Sequence, residues 1–364
     1  MQIEKKSFFE AISLADMEKV HSAVIGWMLS DDCGAFDREA KSRILKGLFE
    51  ENDSSSFKSI EVTVEIQNID ILILTEDYNG EKVCWVIENK VKSSQHSNQL
   101  NKYVDIIESS YDSYSHKYCL LSLIEEKPIC RQKWINKTYD CLVSSLKSEL
   151  ETTNNKNNVD FFILCEYQQS IFHMTSVLKV FLEDHKSYCN VFTDGSIKKK
   201  DKNDNPSFIS KNNLETIFQK CFLGIILNRM QLSEDELKEM KIAETRGVAL
   251  IDYLRKTTIN GRYESHIQIQ NGTFKVFLGL MNGIKEEKVN FIEIWKPKIV
   301  KIADSYEMSV NPPKNYPSIS ISCPEKDWYY NSIDEIVKNW KDKYNQFKEI
   351  QDKILEEVKK ISLS

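Results

Sequence analysis

With 364 residues and a formal net charge of −6, the chain can bury a large core in one domain or two, and it is not a globally basic nucleic-acid binder. Local basic patches and metal-binding acids remain compatible with that balance. Nine cysteines lie scattered with no C-x-x-C pair, which argues against a zinc site and fits a reducing cytoplasm. The first residues are charged and lack a long apolar run, and no stretch is long and apolar enough to span a bilayer. Neither a signal peptide nor a membrane segment is therefore expected.

Residues 14–30 predict an amphipathic helix, with Met17, Val20, Val24, Trp27 and Met28 at helical spacing and Ser13 or Asp16 to cap it. Glu18, His21 and Ile25 lie on a neighbouring stripe, and Glu18 and Ser22 form an i, i+4 pair. His21 reads as a hydrogen-bonded structural residue, with a catalytic role as the alternative. Residues 36–50 predict a second helix, 52–56 a loop, and 60–66 a half-buried strand of period two.

The centre of the pattern is a pair of apolar runs, 69–74 and 83–90, joined through Asn79 and Gly80. The first run begins with Asp70 and the second ends in Glu88-Asn89-Lys90. Antiparallel pairing sets the start of one strand beside the end of the other, so Asp70 and Glu88 converge at one edge. Glu88 and Lys90, two apart, share a face. Two carboxylates and an ammonium brought to one spot can hold a divalent metal and a water beside a phosphodiester; the bland alternative is a strand reaching solvent. A helix then runs to about 110, carrying Gln99 and Tyr103 as an i, i+4 pair. Gln99 can bond a metal ligand or a phosphate, and Tyr103 can stack on a base or pack. Lys92, His96 and Lys102 offer further phosphate contacts, or simply a solvated face.

Residues 118–124 predict a buried strand, 133–150 a helix, 159–165 a strand and 168–184 a helix. Residues 195–206 read as a lysine-bearing loop, followed by helices at 212–230 and 233–256, the latter opened by a Ser233/Glu236 capping box. Beyond these the pattern changes. Strands at 265–270 and 273–278 flank Asn271-Gly272, further strands are expected at 289–295 and 318–322, and a charged helix at 331–361. The domains expected are 1–230 and 231–364.

The D…E-x-K hairpin followed by Gln99-x-x-x-Tyr103 resembles the PD-(D/E)XK nuclease superfamily, in the Q-x-x-x-Y form of recombination-repair exonucleases. Glu18-Lys19-Val20-His21-Ser22 and Trp27-Met28-Leu29-Ser30-Asp31 resemble the E-x-x-H-S…W-L-L-x-P opening of one bacterial branch, with Asp31 or Asp32 where that branch often has proline. The resemblance covers roughly the first half of the chain. It implies an α/β fold with a restriction-endonuclease-like α-β-β-β-α-β core on a mixed sheet. The C-terminal half is then an α+β domain of antiparallel strands and a long terminal helix, for substrate or partner binding. It also implies a Mg²⁺-dependent nuclease, with Mn²⁺ able to substitute. Asp70, Glu88, Lys90, Glu18 and Gln99 would be catalytic, and Asp70, Glu88, Glu18 and the Asn89 carbonyl would hold the metal. Gln99, Tyr103, Lys92 and Lys102 would meet nucleic acid, with DNA expected before RNA. The setting implied is phage defence or genome maintenance in the cytoplasm, with a second copy or another protein as a possible partner. The competing expectations are a non-cleaving binding module on the same fold and an RNase-type toxin.

Overall fold

The computed structural model describes residues 6–51, 55–91, 99–126, 133–192, 205–245, 247–256, 262–311, 317–325 and 327–362. It divides into two compact units, Met1–Asp184 with Gly195–Cys221 and His185–Asp194 with Phe222–Ser364.

The first unit opens with helices α1 (Phe8–Ala11), α2 (Glu18–Leu29) and α3 (Arg38–Leu48). Strands β1 (Phe57–Ile66), β2 (Ile69–Asp77) and β3 (Lys82–Lys90) follow, then α4 (Gln99–Ser110), β4 (Ser115–Ser122), β5 (Trp134–Thr138), α5 (Tyr139–Thr152), α6 (Val159–Glu183) and α7 (Asn205–Lys211). The five strands stand in the order β1-β2-β3-β4-β5. β1, β2 and β3 pair antiparallel, and β3, β4 and β5 pair parallel, so the sheet is mixed and contains the expected α-β-β-β-α-β series. Every residue of β3 from Cys84 to Lys90 is buried, as a central strand demands. On one face Leu72, Cys84, Val86 and Leu120 pack against Leu100, Val104 and Ile107 of α4. On the other lies α2, so close to the sheet that a Cβ on Gly26 would meet Val64 Cγ2 at 2.9 Å.

Two sequence-based predictions fail in this unit. The helix expected over 133–150 begins as β5, because Trp134 and Ile135 pair with Tyr118 and Cys119 and bury the indole on the Tyr118 ring at 5.1 Å. Tertiary pairing there overrides local propensity. The strand expected at 159–165 is the first part of α6. Asn158 caps it through a bond from the Asp160 N–H, and Leu164, Tyr167, Ile171, Met174, Leu178 and Phe181 continue one buried helical stripe. A short apolar run does not distinguish the two states by itself.

The second unit holds most of α8 (Glu215–Arg229), then α9 (Glu234–Glu239), β6 (Met240–Thr245), β7 (Val248–Lys256), β8 (Tyr263–Gln270), β9 (Thr273–Leu280), α10 (Lys288–Asp304), β10 (Ser309–Asn311), β11 (Ser318–Pro324) and α11 (Ile333–Ser362). Its six strands form an antiparallel sheet in the order β10-β11-β9-β8-β7-β6. The β8–β9 turn has positive φ at Asn271 (46°) and Gly272 (66°), and a Cβ on Gly272 would strike Trp328 Cδ1 at 2.1 Å. α11 buries Ile336, Trp340, Tyr344, Phe347, Ile354 and Val358, with Trp340 and Phe347 against Phe274.

Here too two expectations are corrected. The helix expected over 233–256 stops at Glu239. The Ser233–Glu236 capping box is present, but Leu250 and Ile251 enter the sheet as β7. The strand expected at 289–295 is helical, because Phe291, Trp295, Ile299 and Ala303 form a buried stripe at spacing four. Among the described residues, no helix is long and apolar enough to cross a membrane.

Glu236 does more than cap. Burial works against its charge, but Lys348 and the Ser233 N–H and O–H outweigh that and bring the carboxyl down to about 2. Its contribution to stability is present above the ordinary value near 4.5 and is lost as pH falls toward 2. Lys348 is a third exposed, so solvent screening limits the effect to about 1 kcal/mol. Glu236→Gln is expected to flatten that part of the acid-unfolding curve, followed by circular dichroism.

Candidate active site

The β2–β3 register carries Ile71 opposite Ile87 and Leu72 opposite Val86, which leaves Asp70 and Glu88 at the adjoining strand ends on the α4-facing side. Glu88 is 1% exposed and Lys90 6%. Lys90 Nζ lies 2.5 Å from Glu88 Oε1, and the same oxygen accepts from Gln99 Nε2 at 2.8 Å. Among the described residues Glu88 Oε2 is buried with no hydrogen-bond partner, as is Gln99 Oε1. The other Gln99 N–H donates to the Tyr103 hydroxyl (2.6 Å), which donates to the Asn68 carbonyl (2.6 Å). Tyr103 is buried in the core, so its ring packs and its hydroxyl orients Gln99. Asp70 Oδ2 accepts the Asn89 N–H at 2.8 Å. Glu18, the first residue of α2, takes the Val91 N–H on Oε2 at 2.9 Å.

These groups share one field. Burial raises Asp70 above the usual carboxylate range, against the pull of the Asn89 N–H and Lys90 and with a further push from Glu18. Burial brings Glu88 up to about 7, with Lys90 opposing and Asp70 and Glu18 adding to the rise. Burial also opposes the charge on Lys90, but Glu88 outweighs it and leaves that ammonium above its ordinary value.

Among the sequence-predicted residues, the structure thus gathers Asp70, Glu88, Asn89, Lys90, Glu18, Gln99 and Tyr103. Lys102 is exposed on α4, while Lys92 and His96 lie outside the described residues, as does most of the lysine-bearing loop. His21 is buried and hydrogen-bonded through both ring nitrogens. Its Nε2 lies 2.9 Å from the Ala15 carbonyl, which can only accept and so fixes the proton there, and Nδ1 meets the Tyr167 hydroxyl at 3.1 Å.

Sequence reasoning missed the support behind the strand. The Asn89 side chain donates to Ser22 Oγ (3.0 Å) and the Glu18 carbonyl (3.2 Å) and accepts from the Tyr139 hydroxyl (2.7 Å). The Glu18/Ser22 spacing was a trace of it; Tyr139 left none.

No three His, Cys, Asp or Glu side chains among the described residues form a ready metal cluster. The donor chemistry still fits a hard divalent cation. Asp70, Glu88 and Glu18 supply carboxylate oxygens, and two buried oxygens, Glu88 Oε2 and Gln99 Oε1, lack partners among the described residues.

A family model of the PD-(D/E)XK nuclease superfamily matches residues 6–279, and the chain belongs to that superfamily. Membership points to a nuclease, to nucleic acid as its partner, and to the divalent metals such enzymes typically use. Neither a curated protein nor a solved structure matches the chain.

Proposed function

We propose that the protein is a divalent-cation-dependent nuclease that hydrolyses phosphodiester bonds in DNA. The observation that carries it is the buried Glu88–Lys90 pair beside the half-buried Asp70 at the ends of paired strands, with a Glu88 oxygen that has no partner among the described residues. Asp70, Glu88 and Glu18, with the Asn89 carbonyl, would hold Mg²⁺, or Mn²⁺ in its place. When bound, the cation lowers the pKa of a water and stabilises charge on the phosphate oxygens. Lys90 holds its proton at Nζ, ready to orient that water or to meet the charge that develops on the phosphate. Gln99 fixes Glu88 Oε1, and Tyr103 fixes Gln99. Lys102, exposed on α4, supplies a phosphate contact. A place in phage defence or genome maintenance rests on analogy with the superfamily. The free thiols of Cys33, Cys84, Cys119 and Cys221 support a reducing, cytoplasmic setting.

The test is incubation of supercoiled plasmid, linear duplex, single-stranded DNA and RNA with the protein in Mg²⁺, in Mn²⁺ and in EDTA. Metal-dependent cutting of DNA is expected, with substrate affinity falling as salt rises. Binding without cutting in any metal would favour the binding-module alternative. Cutting confined to RNA would favour the RNase.

A further inference from the structure

In Glu88-Asn89-Lys90 the backbone of the middle residue faces Asp70, while its side chain points through the sheet to the opposite face. Trp85 and Ile87 precede it on that face, and Asn89 is fully buried. An apolar residue is the ordinary occupant of such a position. A primary amide there brings two N–H donors and an oxygen that are costly to leave unpaired. All three functions are met. The donors reach Ser22 Oγ and the Glu18 carbonyl, and the oxygen takes the Tyr139 hydroxyl.

The target of this amide is the start of α2. Glu18 is the first residue of that helix, and its N-cap, Met17, provides no side-chain cap. An uncapped first turn frays unless something else holds it. Asn89 grips the Glu18 backbone at its carbonyl, and two residues on, the Val91 N–H grips the Glu18 carboxylate. Ser22 Oγ closes the clasp by donating to the same Glu18 carbonyl at 3.1 Å. Tyr139, itself buried at the start of α5, fixes the amide from behind. One residue of α2 is thus tied at both backbone and side chain to the end of the strand that carries Glu88 and Lys90.

We infer that Asn89 is a positioning residue. Its side chain sets Glu18 against β3, so that the contribution of Glu18 to cation binding depends on Asn89. This rests on the nuclease reading of the site, but concerns a side chain that touches neither cation nor substrate.

The experiment is Mn²⁺ titration by calorimetry on the full chain, independent of any cleavage. The variants are Asn89→Leu, Glu18→Gln, their double variant and Tyr139→Phe, with folding followed by circular dichroism. Asn89→Leu is expected to weaken Mn²⁺ binding roughly 10–100-fold, the range for residues that orient metal ligands. Glu18→Gln is expected to weaken it as well, and the double variant to lose no more than the worse single variant. Tyr139→Phe, which keeps shape and removes one hydrogen bond, shifts binding in the same direction by less. A purely structural Asn89 would lower thermal stability and leave the affinity of the folded protein unchanged. Wild-type affinity in folded Asn89→Leu, or losses that multiply in the double variant, would overturn the inference. Should Asn89→Leu not fold, unchanged affinity in Tyr139→Phe overturns it and weakened affinity upholds it. Absence of Mn²⁺ binding by the wild type is a different result, for it removes the cation reading of the site along with the inference.

Discussion

Lys90→Ala is expected to cut DNA roughly 10²–10³-fold more slowly than the wild type at saturating Mg²⁺, the usual cost of removing one preorganised donor from developing charge. The ammonium is 6% exposed and 2.5 Å from Glu88, so no other described side chain can move into its place without repacking. The loss has a second component. Lys90 is the main force holding Glu88 down against burial. Without it the carboxyl rises further and is largely protonated at neutral pH, where it must release a proton to take a cation. The variant should therefore need more alkaline solution to bind metal, and its residual activity should peak at higher pH. Lys90→Arg should restore little, because a planar guanidinium does not fit a site packed around a compact ammonium. Asp70→Asn is expected to differ in kind, with cation affinity and cleavage falling together. Single-turnover rates across pH, with Mn²⁺ affinity measured in parallel, separate the two patterns. Wild-type cutting by Lys90→Ala would end the assignment of Lys90.

The parts of this site that could be read from the sequence are those governed by local geometry. A two-strand hairpin fixes which residues meet, so Asp70 and the Glu88/Lys90 pair could be placed before any tertiary contact was known. Gln99 and Tyr103, one turn apart, gave the helix above them. What stayed hidden depends on contacts distant in sequence. Asn89 looked like a backbone ligand because its side chain lies on the far side of the strand, where its partners come from α2 and α5. The same division runs through the fold. The β8–β9 hairpin was plain from Asn271-Gly272, and α11 from its long charged period. β5 and β7 are strands because of the neighbours they pair with, and the starts of α6 and α10 carry apolar runs too short to choose between periods.

Glu88→Gln tests the other consequence of burying this site, in metal-free buffer. In the folded protein Glu88 titrates at about 7, against an ordinary value near 4.5. The folded state therefore holds this proton more tightly than the unfolded chain. The stability it confers is full below 4.5 and is lost as pH rises through about 7. A shift of that size corresponds to about 3 kcal/mol. Glutamine does not titrate, so the variant should lose about 2–3 kcal/mol less than the wild type between pH 5 and pH 8. Its absolute stability carries an opposing cost, since Lys90 is left buried without its carboxylate. The slope of stability against pH is therefore the quantity to compare, by urea unfolding at each pH. Adding Mg²⁺ at pH 8 should recover stability in the wild type by mass action and do little for Glu88→Gln. Parallel pH curves for the two proteins would mean that Glu88 is not held in strained ionisation. If the curves diverge as expected, the acidic end of β3 is a place where folding stability is given up at neutral pH and returned when a divalent cation binds.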